Sequence, residues 1–338
     1  MDNIILQTSQ IFNDFTIIDQ PFLIRENHQV LAHILLPRNY SGSPSKPSPI
    51  IINWHGGYLV AGHGLLPLFF PPLLLRLAKK HSAIIVSPDH ALLPREEGLS
   101  SVQADAEAFH HWLHSSFAEL LAATAPSYEP DLTRILLHGG SSGAYLALSS
   151  ALSHPKSYRC VSLMYPMIYF DTDWWRKGSR AVGAPNPGRL PDTAFPVDDQ
   201  VVMHQLEEFR QGPVVTMPGA ERNVFGACVA RAGLFLEIFN PGGKLDDDSA
   251  VWLNRRVEQG SELPEHIWVL HADCDTVVPI ETSLRFAQTM KRQGRPIRLD
   301  IVKELDHCCD MAVTEDWKGS DDPVVLDAAE WLVEKWLE

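Results

Sequence analysis

Residues 135–144 read Ile135-Leu136-Leu137-His138-Gly139-Gly140-Ser141-Ser142-Gly143-Ala144. An apolar run suited to a buried strand passes through a Gly-x-Ser-x-Gly turn into the start of a helix. A turn this sharp holds Ser141 in a strained backbone conformation and lifts its hydroxyl above the sheet. Gly139 and Gly143 are required because side chains there would collide with neighbouring backbone. The helix start beyond supplies free N–H groups and the positive end of a dipole, suited to an oxyanion. A plain Gly/Ser-rich turn is the alternative, and Ser142 is the alternative register.

Outward from this turn, strands and helices alternate. Phe15 to Ile24, Gln29 to Leu36 and Ile50 to Trp54 read as strands, with a Pro/Ser loop at 41–48 between the last two. A helix from Pro71 to Lys80, a strand at Ala83 to Ser87 and a long helix from Ser101 to Leu121 precede the strand entering the turn. Beyond it come strands at Cys160 to Tyr165, Ile267 to His271 and Ile297 to Val302, with helices at Ile280 to Arg292 and Pro323 to Leu337. The alternation predicts an α/β fold, a mostly parallel sheet covered by helices on both faces, with its active site at the carboxyl ends of strands. Residues 1–166 and 264–338 form the expected core, and 167–263 an inserted lid.

A serine hydroxyl needs a base to take its proton and a carboxylate to orient that base. In one known arrangement the chain order is Ser, acid, His, each after a strand. Ala272-Asp273-Cys274-Asp275-Thr276-Val277-Val278-Pro279 follows one strand and Lys303-Glu304-Leu305-Asp306-His307-Cys308-Cys309 another. Asp275 is assigned as the acid, with Asp273 as its rival, and His307 as the base. Asp306 and Asp310 adjoin His307 too closely to orient its ring and read as loop carboxylates. The strand at 50–54 ends in His55-Gly56-Gly57-Tyr58, where consecutive glycines allow backbone N–H groups to approach a ligand.

These motifs together resemble the hormone-sensitive-lipase-like branch of the α/β-hydrolases, which carries HGGG, a DYRLAPE-like segment and GDSAG in this order. Here they stand as His55-Gly56-Gly57-Tyr58, Asp89-His90-Ala91-Leu92-Leu93-Pro94-Arg95-Glu96 and Gly139-Gly140-Ser141-Ser142-Gly143. The resemblance covers the chain from about Ile50 to its end, outside the insert. It implies an α/β-hydrolase fold with an eight-stranded sheet and a helical lid, and carboxylesterase chemistry with no metal or organic cofactor. It also implies that Gly56, Gly57 and Ser142 donate the oxyanion N–H groups. Three positions depart from the pattern: Tyr58 replaces the third glycine, Gly140 the aspartate and Ser142 the alanine. Tyr58 borders the acyl pocket and is expected to touch substrate, as are Tyr169, Trp174 and Trp175 at the start of the insert.

The 338 residues carry a net charge of −14, which disfavours a nucleic-acid partner. No apolar run reaches the ~18 residues of a membrane span. Five cysteines without a CxxC pair, and no signal segment at the amino terminus, point to a reducing, cytoplasmic setting. Asn39-Tyr40-Ser41 matches a glycosylation sequon, with no expectation that it is used. His110 and His114 stand one turn apart without the third ligand of a metal site. Asp246-Asp247-Asp248-Ser249 reads as a helix cap rather than a calcium loop. The expected partner is a small-molecule ester or lactone, and a homodimer is compatible with the sequence. Other readings are an acyltransferase, cyclase or lactone-opening enzyme on a bulky biosynthetic intermediate, a ligand-binding receptor, and a peptidase suggested by DTVVP.

Overall fold

The computed structural model describes residues 9–38, 46–217, 219, 221–242 and 250–338. The sequon at 39–41 and the cap at 246–249 lie outside the described residues. Eight strands form one sheet: β1 (Phe15–Arg25), β2 (His28–Pro37), β3 (Ser48–Trp54), β4 (Ile84–Pro88), β5 (Pro130–Gly140), β6 (Cys160–Met164), β7 (His266–Ala272) and β8 (Arg298–Val302). Their spatial order is β1-β2-β4-β3-β5-β6-β7-β8. The β1/β2 and β2/β4 pairs are antiparallel and the others parallel.

All of β3 and β4 is buried, as branched apolar residues covered on both faces should be. Alternation along the strands sends neighbours to opposite faces. Ile50, Ile52, Ile135 and Leu137 pack against helices α2 (Leu99–Ser115) and α4 (Gly143–Ser153), through Val102, Phe109 and Leu146. Ile51, Ile85 and Leu136 face α1 (Pro72–His81) and α11 (Pro323–Leu337), meeting Leu74, Leu77 and Trp336. Burying each such side chain contributes about 1.5–3 kcal/mol before entropy is counted.

The single helix expected over 101–121 is two. α2 stops at Ser115, Ser116 leaves helical geometry with φ −129°, and α3 (Phe117–Thr124) begins at the next residue. The break turns Phe117 and Leu121 into the core, and burying two large side chains outweighs the turn of helix lost. Between β6 and β7 lie α5 (Asp173–Lys177), α6 (Asp199–Gln211), α7 (Glu221–Ala232), α8 (Phe235–Phe239) and α9 (Leu253–Glu258); α10 (Glu281–Arg292) joins β7 to β8. Among the described residues no helix is long and apolar enough to cross a membrane.

Candidate active site

β5 ends at Gly140, α4 begins at Gly143, and Ser141 between them sits at φ +54°, in the left-handed region. Its N–H donates to Met164 O (2.9 Å), and its own carbonyl accepts from Met167 N (3.2 Å). A β-carbon at Gly139 would stand 2.3 Å from Gly143 O, and one at Gly143 would stand 2.1 Å from Trp54 O. Strand, elbow and helix therefore pack backbone against backbone, and only glycine fits.

Two loops bring partners to Ser141 from far along the chain. After β8, His307 Nε2 lies 3.0 Å from Ser141 Oγ, and Nδ1 lies 2.7 Å from Asp275 Oδ2. Asp275 follows β7 with a fully buried side chain. Its Oδ1 accepts from Val277 N and Val278 N, both at 2.8 Å. Burial alone would raise its pKa, but the charge of His307 and hydrogen bonds from His271 and His307 outweigh burial and hold it well below the usual carboxylate range.

Asp273 is engaged elsewhere, accepting from Glu304 N (2.7 Å) and pairing with Lys303. Asp306 accepts from Thr276 N and His307 N, each at 2.8 Å, and pairs with Arg189 at 2.9 Å. Asp310 is buried and accepts from the Tyr165 hydroxyl at 2.8 Å, while the Tyr165 ring stands edge-on to His307 with centroids 4.4 Å apart.

One neighbour escaped the sequence reading. His271, the fully buried penultimate residue of β7, places Nε2 3.2 Å from Asp275 Oδ2 and 3.0 Å from Val278 O. Ser283 Oγ lies 2.7 Å from its Nδ1, so a proton on Nε2 suits the whole network. The i, i+4 spacing of His271 and Asp275 across a strand end was the available signal.

The loop after β3 passes close to the elbow. A β-carbon at Gly56 would approach Gly140 O to 3.2 Å and Ser141 Cβ to 3.3 Å. Gly57, at φ +118°, accepts from Val60 N and Ala61 N in a tight turn where a side chain would strike Ala61 O. Ser142 is the N-cap of α4, beside Ser141. His55 stacks on His90 with centroids 4.6 Å apart, and both imidazoles are buried.

A cavity of about 170 Å³ opens over Ser141. Its walls are mainly apolar, from Trp54, Phe69, Pro71, Val277 and Met311, with Tyr58 and Asn223 among the polar members. Burial pushes the Tyr58 phenol well up, so it remains an O–H donor. Tyr169, Trp174 and Trp175, expected at the substrate, do not line this cavity. They pack inward instead: Trp175 edges onto Phe170 and Phe235, Trp174 onto Trp175, and Tyr169 lies under Arg285. Closeness in sequence to a strand end did not determine which way these rings turn. His110 stacks on His154, which bonds Glu107, and among the described residues no such group is spaced to hold a metal ion.

Sheet order, elbow and surrounding loops define an α/β-hydrolase. The Esterase family model, described as "Putative esterase", matches residues 25–226, and the chain belongs to that family of ester hydrolases. It is 29% identical over 316 residues to "Probable carboxylesterase M8" of Phoma sp., covering 90% of this chain and 94% of that protein. It is 31% identical over 204 residues to "Probable carboxylesterase clz11" of Cochliobolus lunatus, covering 58% and 86%. A methylphloroacetophenone synthase of Cladonia uncialis is 20% identical over 79% of this chain and 11% of its own length. Among solved structures, esterase LipW from Mycobacterium marinum shares the fold with a TM-score of 0.64 at 16% identity, over 100% of this chain and 88% of that one.

Proposed function

We propose that the protein is a serine carboxylesterase of the hormone-sensitive-lipase-like branch, cleaving a small ester or lactone through an acyl-enzyme on Ser141. The observation that carries this reading is the relay of hydrogen bonds from Ser141 through His307 to Asp275. In this mechanism Ser141 Oγ attacks the carbonyl carbon while His307 Nε2 takes the hydroxyl proton. Asp275 holds the imidazole with its Nδ1–H inward and stabilises the imidazolium that forms. The carbonyl oxygen, now an anion, accepts from the amides of Gly56, Gly57 and Ser142, each donor worth about 2.7–4 kcal/mol in such sites. The same imidazole returns its proton to the departing alcohol. It then activates a water that releases the acid and restores the serine.

Residues 167–263 serve as the cap over this site, with α7 bringing Asn223 to the cavity. A bulky biosynthetic intermediate, as an acyltransferase or cyclase would take, would lie only partly within the cavity. Its roughly 170 Å³ is close to the ~150 Å³ that holds benzene in an engineered protein cavity. A receptor would have no use for a base within hydrogen-bonding reach of the serine. Five free thiols suit a cytoplasmic setting.

The test is Ser141→Ala assayed with p-nitrophenyl acetate, beside fluorophosphonate labelling of the unaltered protein. Hydrolysis should fall by at least about 10³-fold and labelling should map to Ser141. Undiminished turnover in the folded variant, or no labelling, contradicts the assignment.

A further inference from the structure

Tyr58 stands where the resembling family has a third glycine, and the fold makes room for it in a specific way. Its backbone is left-handed, at φ +60°, directly after the turn at Gly57. Its ring lies against α7 at Gly226, where a β-carbon would come within 2.6 Å of Tyr58 Cδ2. On the other side it stacks on Phe235, with centroids 5.6 Å apart and planes 29° from parallel. The phenol is therefore held at the cavity by two cap helices rather than left to rotate.

Asn223 lies one helical turn before Gly226, on the same face of α7, and lines the same cavity. Its neighbour Arg222 fastens that helix to the core. The buried guanidinium donates to Leu93 O (2.9 Å) and Val60 O (3.4 Å), the latter two residues beyond Tyr58. Tyr58 and Asn223 are thus fixed relative to each other, and both remain partly accessible.

The surroundings limit what such a pair recognises. No lysine or arginine is among the described residues lining the cavity, so apart from His307 no side chain there can carry the positive charge that would compensate a carboxylate or phosphate on the ligand. A phenol and a carboxamide are neutral groups that donate and accept, matched by a hydroxyl or carbonyl oxygen. The cavity beside Ser141, about 170 Å³, gives room for a compact group next to the serine.

We infer that Tyr58 and Asn223 form a neutral polar subsite selecting compact, uncharged esters that bear a second oxygen function besides the scissile group. This deepens the proposed esterase reading and rests on Ser141 as the reacting group. The second oxygen can belong to the acyl part or to the alcohol part, and the chemistry recognised is the same.

Two isosteric pairs separate these sources. Methyl 3-oxobutanoate against methyl 3-methylbut-3-enoate places the oxygen in the acyl part. 2-Oxopropyl acetate against 2-methylprop-2-enyl acetate places it in the alcohol part. Within a pair only C=O and C=CH₂ differ, and comparing the ratio of kcat/KM between unaltered protein and variant cancels intrinsic reactivity. In at least one pair the ratio should drop about tenfold in Tyr58→Phe and again in Asn223→Leu. Tyr58→Phe removes a single oxygen, which guards against a folding artefact. Dissociation constants of the same four esters with Ser141→Ala, alone and combined with Tyr58→Phe, give a second readout independent of turnover. Ratios unchanged by both substitutions, with hydrolysis intact, overturn the subsite and leave the esterase reading standing. Tyr58-dependent preference in binding, with no hydrolysis of any ester, keeps the subsite and removes the esterase reading.

Discussion

At the residue scale, the chemistry depends on how completely a few polar atoms are used. Both oxygens of Asp275 are engaged, two backbone amides on Oδ1 and two imidazoles facing Oδ2. Asp275→Asn should preserve this packing yet favour the wrong imidazole tautomer, lowering kcat for p-nitrophenyl acetate by about 10⁴-fold. A loss below tenfold would show that the carboxylate is structural. His271→Phe fills similar space but withdraws one donor from the carboxylate and leaves Val278 O and Ser283 Oγ short of a partner. The expected result is a drop in kcat of about tenfold with KM little changed, and a melting temperature lower by the equivalent of about 1–3 kcal/mol. Stopped-rate assays and thermal melts on one preparation read both.

What could be read in advance also divides at this scale. Ser141 was legible because its requirement is local: the glycines that clear backbone at 139 and 143 sit within two residues of it. Asp275 is preferred over Asp273 as the acid, but residue type and position leave Asp273 as a rival. Their difference lies in three dimensions, where Asp273 turns back to Glu304 N and Asp275 turns towards His307. Asn223 gave no signal, because a single asparagine in a weakly patterned stretch looks like any exposed polar residue. The aromatics at 169, 174 and 175 gave a misleading one, since abundance of rings near a strand end does not fix their direction.

At the scale of elements, the elbow distinguishes glycines that look equivalent in sequence. Gly143→Ala drives a methyl group into Trp54 O, so α4 and the end of β3 must separate. Its destabilisation should exceed the about 1–3 kcal/mol usual for overpacking, measured by denaturant melts. Gly140→Ala meets only the Tyr165 ring and hydroxyl, at 3.5 Å or more, and should cost under about 1 kcal/mol. Equal stabilities for the two would mean that the elbow is looser than drawn. The strand and helix alternation that established the fold was readable for a similar reason: buried parallel strands demand branched apolar runs, as in Ile50-Ile51-Ile52. The break at Ser116 was not, because no proline or glycine marks it. Burial of Phe117 decides it, and burial belongs to the assembled sheet.

For the whole molecule, buried imidazoles set the response to acid. Burial lowers His55 to about 3, His138 to about 3 and His90 to about 4, against about 6.5 in the unfolded chain. Between those limits the unfolded chain binds protons that the folded one refuses, so stability is complete above pH 6.5 and lost as pH falls. His33 acts in the opposite sense: Asp89 and Asp19 overcome its burial and raise it, a contribution that fades as pH rises through the raised value. Asp275 adds its own loss below about pH 4, as the carboxylate is protonated on unfolding. The melting temperature should decline steadily from pH 7 to 4.5, with a net uptake of protons on unfolding. A flat profile over that window would mean these histidines titrate freely.

One carboxylate ties the periphery to the centre. Asp306 accepts from the amides of Thr276 and His307 and pairs with the guanidinium of Arg189, while Gly188 N donates to Thr276 Oγ1. Residues 188 and 189 belong to the segment between β6 and β7 rather than to either loop. Through Thr276 and Asp306 this segment is hydrogen-bonded to both loops, so three stretches far apart in the chain meet at a single carboxylate.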